Sequence, residues 1–71
     1  MSKKEKLYEY FLRNKHKAPL LLSSELAEHL GYYSKKELTQ AVKRFLPDWD
    51  LGLELYVTGK GRGAITMVRR K

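Results

Sequence analysis

Twelve residues near the middle of the chain, Lys35 to Leu46, constrain its fold more than any other stretch. Leu38, Ala41, Val42, Phe45 and Leu46 fall at i, i+3, i+4, i+7 and i+8, so a helix over 35–46 has one apolar face. Ser34-Lys35-Lys36-Glu37 opens it as a capping box, the serine hydroxyl accepting from an amide that the helix leaves unpaired. Pro47 stops it, because proline has no amide hydrogen to continue the ladder. In a chain of 71 residues that face belongs to the one core the chain can build.

The length places residues 1–71 in a single domain, too short for most stand-alone metabolic enzymes. A chain of this size buries only roughly 60% of its unfolded surface, so its stability margin is thin. There is no cysteine, which excludes disulfides, thiolate zinc sites and cysteine nucleophiles. No apolar run approaches the roughly 20 residues that span a bilayer. The first residues, Met1 to Lys6, are basic with no apolar stretch behind them, so no signal peptide and a cytoplasmic location are expected.

Other elements follow from the same periodicities. Leu7, Tyr8, Phe11 and Leu12 form one helical face behind a Ser2 cap, predicting a helix over 2–16 with Tyr10 off the stripe. Pro19 closes that neighbourhood, and Leu20-Leu21-Leu22 reads as an extended segment or very short strand. Ser23 caps a second helix over 24–30, with Leu26, Ala27 and Leu30 inward and Gly31 at the left-handed terminus. After the turn residues Pro47-Asp48-Trp49-Asp50, Leu53, Leu55 and Val57 alternate with polar partners. Gly59-Lys60-Gly61-Arg62-Gly63 turns the chain, and Ala64 to Val68 returns, making a hairpin over 53–68. Arg69, Arg70 and Lys71 read as a frayed basic tail, and Trp49 as a seal on the core edge.

Charge is blocked along the chain. Against an overall +7, residues 1–17 carry +4, residues 35–46 carry +3 and residues 59–71 carry +5, while 18–34 and 47–58 are acidic. Such blocks point to one side that faces a polyanion. On the third helix a rotation of roughly 100° per residue sets Lys36, Thr39, Gln40 and Lys43 opposite the apolar stripe. Thr39 and Gln40 stand where glutamates would otherwise pair with those lysines. Glu37 is expected near Arg44, serving its own cap.

This order of elements resembles the winged helix-turn-helix family, over nearly the whole chain from Leu7 to Val68. The marks are Ser23 to Gly31, similar to the first helix of the motif, Lys35 to Leu46, similar to its recognition helix, and Gly59 to Gly63, similar to the wing. The connection Gly31-Tyr32-Tyr33-Ser34 is about one residue longer than the tightest turns of that family. The resemblance implies an α+β domain of three helices followed by a β-hairpin wing, acting on double-stranded DNA as a transcriptional regulator or accessory factor. The third helix would enter the major groove, with Gln40 able to read adenine and Lys36 or Lys43 reaching guanine or phosphate. Tyr33, Ser34 and Lys35 would lie along the backbone, and Lys60 and Arg62 would extend from the wing to phosphate or a narrow minor groove. One module binds weakly, so a homodimer or a cooperative array on DNA is expected. Two alternatives are an RNA-binding protein using basic side chains without base readout, and a protein-interaction adaptor relying on exposed Tyr10, Tyr32 and Tyr33.

Sharper chemistries fail on their spacing. Gly59 to Ala64 matches a dinucleotide fingerprint only nominally, since a strand and not a helix follows. A phosphate-binding loop would need Ser or Thr where Gly61 stands. Asp48, Asp50 and Glu54 lack the spacing of a calcium loop, with Gly52 one position early, and read as turn carboxylates. His16 and His29 lie on different elements without a nucleophile or carboxylate arrangement. No enzyme activity, metal, cofactor or small-molecule ligand is therefore expected.

Overall fold

A computed structural model describes residues 2–59, 61 and 64–71. Three helices, α1 (Lys3–Asn14), α2 (Ser24–His29) and α3 (Lys35–Phe45), pack with three strands, β1 (Leu20–Leu21), β2 (Leu53–Thr58) and β3 (Ile65–Arg70). The strands make one antiparallel sheet in the order β1-β3-β2. The expected hairpin is therefore joined by a third strand, because Leu20 and Leu21 pair with Val68 and Met67. The Leu22 amide donates a hydrogen bond of 3.0 Å to the Thr66 carbonyl, which extends that pairing.

The core lies between the helices and the inner face of the sheet. Leu7 and Phe11 of α1, Ala27 of α2, Leu38 and Val42 of α3, and Val68 of β3 are fully buried. The α1 stripe is narrower than its apolar pattern: Tyr8 and Leu12 are 37% and 38% exposed. Each sits about 100° from its buried neighbour on the helix, which turns it off the core axis. Tyr8 instead meets Trp49 edge-on at 5.2 Å, and Trp49 stacks on Phe45 at 6.2 Å. That aromatic cluster seals the α1–α3 corner as expected of Trp49, which is half-buried.

Local capping sets the helix ends. The Ser2 and Ser23 hydroxyls accept from the Glu5 and Leu26 amides, each at 3.1 Å. The first helix ends at Asn14, earlier than 16, and residues Lys15–Lys17 tighten into a 3-10 turn. Asn14 Nδ2 donates to the Tyr10 carbonyl at 2.8 Å, so its own side chain takes up a carbonyl at the helix end. At the end of α2, Gly31 adopts φ +86°. Its amide donates to the Glu28 carbonyl at 3.1 Å while the Tyr32 amide donates to the Ala27 carbonyl at 2.7 Å. These two bonds define a Schellman terminus, which turns the residue after the glycine back onto the helix. Tyr32 is buried as a result, contrary to the expectation that it is exposed.

α3 begins with the Ser34 hydroxyl accepting from the Glu37 amide at 3.2 Å. The Glu37 carboxylate does not turn toward Arg44 or close the cap. It pairs with Lys3 Nζ at 3.1 Å, joining the first turns of α3 and α1. The helix ends at Phe45, and Pro47 lies in the 3-10 turn Leu46–Asp48 that follows.

The C-terminal residues also depart from expectation. Arg69 and Arg70 continue β3, in register with Glu54 and Leu53, and the Lys71 amide donates to the Gly52 carbonyl at 3.0 Å. The Arg69 guanidinium lies 3.6 Å from the centre of the Tyr56 ring and 3.8 Å from Glu54 Oε1. Arg69 and Arg70 are therefore strand residues with ladder partners, not a free tail.

Candidate functional site

The outer face of α3 carries most of the residues singled out by the pattern. Lys36, Gln40 and Lys43 are exposed at i, i+4 and i+7, a row about 10 Å long at 1.5 Å per residue. Arg44, exposed beside them, adds a fourth polar arm that the pattern did not single out. Its guanidinium sits 5.6 Å from the Phe45 ring centre, and the Lys4 ammonium lies over the same ring at 4.7 Å. Lys35 and Thr39 are half-buried at the margin of the row.

Two hydroxyls already have work within the helix. Thr39 Oγ1 donates to the Lys35 carbonyl at 2.8 Å, so it can offer a ligand only lone pairs and a methyl group. The Ser34 oxygen is engaged by the Glu37 amide and keeps its own proton to donate. Tyr33, immediately before them, is 94% exposed, so its phenol and ring stand free at the N-terminal end of α3.

The electrostatics of this face are one-sided. Glu37 is the acid of α3, and its carboxylate is drawn to Lys3. Glu54, across the groove from Lys43, is held by Arg69. None of Lys35, Lys36, Lys43 or Arg44 enters an ion pair among the described residues. Before the start of α3, burial first and then the Glu37 carboxylate raise the Tyr32 phenol above its ordinary pKa.

Between α3 and β2 runs a groove of about 330 Å³ whose floor is Val42, Leu46, Leu53 and Leu55, with Lys43 and Lys71 at its rim. The hairpin loop begins where Thr58 and Ile65 pair, and Gly59 and Gly61 take φ +79° and +65°. Lys60 and Arg62, the expected wing contacts, lie outside the described residues.

Among the described residues, no group of three or more His, Asp and Glu side chains could hold a metal ion, and no helix is long and apolar enough to cross a membrane. Compared with protein families, curated proteins and solved structures, the chain matches none.

Proposed function

We propose that this chain is a winged helix-turn-helix protein that binds double-stranded DNA, as a transcriptional regulator or an accessory factor. The observation that carries the reading is the outer face of α3: Lys36, Gln40 and Lys43 in one exposed row, with the helix's own acid turned away to Lys3. An α-helix fits the major groove, and a bidentate amide such as Gln40 matches the adenine edge there. Lysines on either side of it would neutralise phosphate or reach guanine. The element order, with β1 paired to β3 behind the helices, supports the same reading by leaving the α3 face uncovered. Such a role carries with it a cytoplasmic location and, for useful affinity, paired or adjacent copies on DNA. The adaptor alternative is weakened, since of Tyr10, Tyr32 and Tyr33 only the last is fully exposed.

Amide chemical-shift titration with a short mixed-sequence duplex, at low and raised salt, tests the reading. Shifts centred on residues 33–44 and on the loop 59–64 are expected, weakening steeply with salt. Binding that leaves the α3 amides unmoved overturns it.

A further inference from the structure

We propose that the end of the sheet remote from the hairpin loop forms a second phosphate-binding surface, which lets one copy of the chain hold a second duplex segment. The inference rests on the reading above for the first duplex.

The surface is assembled from two distant parts of the sequence. Arg70 Nη2 donates to the His16 carbonyl at 2.8 Å, bringing the end of β3 onto the 3-10 turn that follows α1. Lys15 and Lys17 of that turn, with Arg70 and Lys71, are all exposed at this end of the molecule. Lys15, His16, Gly52, Arg70 and Lys71 border a cleft of about 420 Å³. None of the four cations takes part in the ion pairs of the described residues. Asp50 and Glu54 each adjoin a cleft residue, Leu51 and Leu53; Glu54 is paired with Arg69, and counting Asp50 leaves the cluster at +3.

A solubilising role would not require these cations to converge. Complementing the C-terminal dipole of α1 accounts poorly for them as well, because that end amounts to roughly half a negative charge and Arg13 already stands in its last turn. Convergence of a guanidinium and flexible ammonium arms suits the oxygens of a phosphodiester. No side-chain amide borders the cleft to read an adenine edge, and the proposed contact is to the phosphates.

Two rulers separate this surface from the first one. Five strand steps from Ile65 to Arg70 span about 17 Å, setting it that far from the loop. Twelve residues of α1 span about 18 Å, setting Lys15 that far from Lys3, which touches α3 through Glu37. The proposal takes Lys15 and Lys17, one length of α1 away from the first turn of α3, as the arms left for another duplex when one is seated on α3. Lys71 is less separate, since it also flanks the groove opposite Lys43.

The test uses two short duplexes, one carrying a fluorescent donor and the other an acceptor, with anisotropy reporting single-duplex binding. The wild-type chain is expected to bring the two together and give energy transfer. K15A/K17A, with both substitutions exposed and Lys71 intact, should abolish transfer while keeping single-duplex affinity within about a factor of three. Undiminished transfer in K15A/K17A would mean that bridging runs through paired copies, and overturns the inference. So does a wild-type chain that binds single duplexes without transfer. If K15A/K17A loses single-duplex binding while K36A/K43A retains it, the remote surface stands and the α3 reading falls. Absence of binding by the wild-type chain overturns both.

Discussion

Lys3 Nζ lies 3.1 Å from Glu37 Oε1, so the first turn of α1 is held to the first turn of α3 by an ion pair between residues 34 positions apart. The carboxylate sits where the α3 dipole favours negative charge. The same lysine stands 5.4 Å from the centre of the Tyr32 ring, which makes it the meeting point of α1, α3 and the turn before α3. Both partners remain substantially exposed, at 57% and 40%, so water and salt screen the attraction.

Glu37→Gln should therefore cost little, about 0.2–1 kcal/mol, and less at high salt. Lys3→Ala should cost more than Glu37→Gln, because it also removes the alkyl chain beside Tyr32. Urea denaturation of both variants and the double variant, at low and high salt, checks the order and the coupling. Equal costs for the two would show that the lysine stem contributes nothing beyond its charge.

At Gly31 the penalty of substitution comes from the backbone and not from crowding. A Cβ built there meets Lys3 Cγ at 3.8 Å, an ordinary contact, yet φ is +86°. Gly31→Ala is expected to destabilise the fold by about 1–2 kcal/mol. Gly31→Asn should cost less, since asparagine tolerates the left-handed region. Thermal unfolding of the pair distinguishes strain from steric conflict, which would instead make the larger asparagine the worse replacement.

Tyr32 gives the fold a limit at high pH. Its folded pKa lies above the unfolded value of about 10, so the neutral phenol is preferred in the native state. The stabilisation is fully present below about pH 10 and is lost as pH rises through the folded pKa. Tyr32→Phe removes this titration. The stability difference between wild type and Tyr32→Phe should be constant up to about pH 10 and then shift in favour of the phenylalanine. A difference that stays flat beyond pH 11 (roughly one unit past the free phenol) would mean that the ring ionises without opposition.

Local order was legible where the signal is local. The capping serines, the α3 stripe and the glycine at the end of α2 all act within a few residues, and each appears where its spacing puts it. Tyr32 was harder, because adjacent tyrosines look alike until the Schellman bonds turn one inward and leave the other in solvent. The short Leu20–Leu21 strand was legible, but its place beside β3 and the order of Arg69 and Arg70 were not, for a different reason. Leu20 finds Val68, and Arg69 finds Glu54, only through a register set by the whole sheet. Glu37 likewise chose a lysine on another helix over its own cap, a competition that no local pattern records. At the candidate site the exposed row of α3 was legible from rotation alone, whereas the engagement of Thr39 with its own backbone was not.

On the α3 face, charge and amide should have separable effects. Lys36→Ala is expected to weaken duplex binding for all sequences alike and to reduce the salt slope by about 0.9. Gln40→Ala should leave that slope unchanged and relax discrimination at one base pair by about 1–3 kcal/mol. Competition binding against a randomised duplex pool, at two salt concentrations, measures both. A Gln40→Ala variant with unaltered preference would remove base readout from this position.

The pairing of Leu20 with Val68 has a consequence for the birth of the protein. In order of synthesis all three helices precede β3, so the strand that flanks Leu20 does not exist until translation has reached Val68. Until then β1 has no ladder partner, and the sheet can close only after every helix has been made.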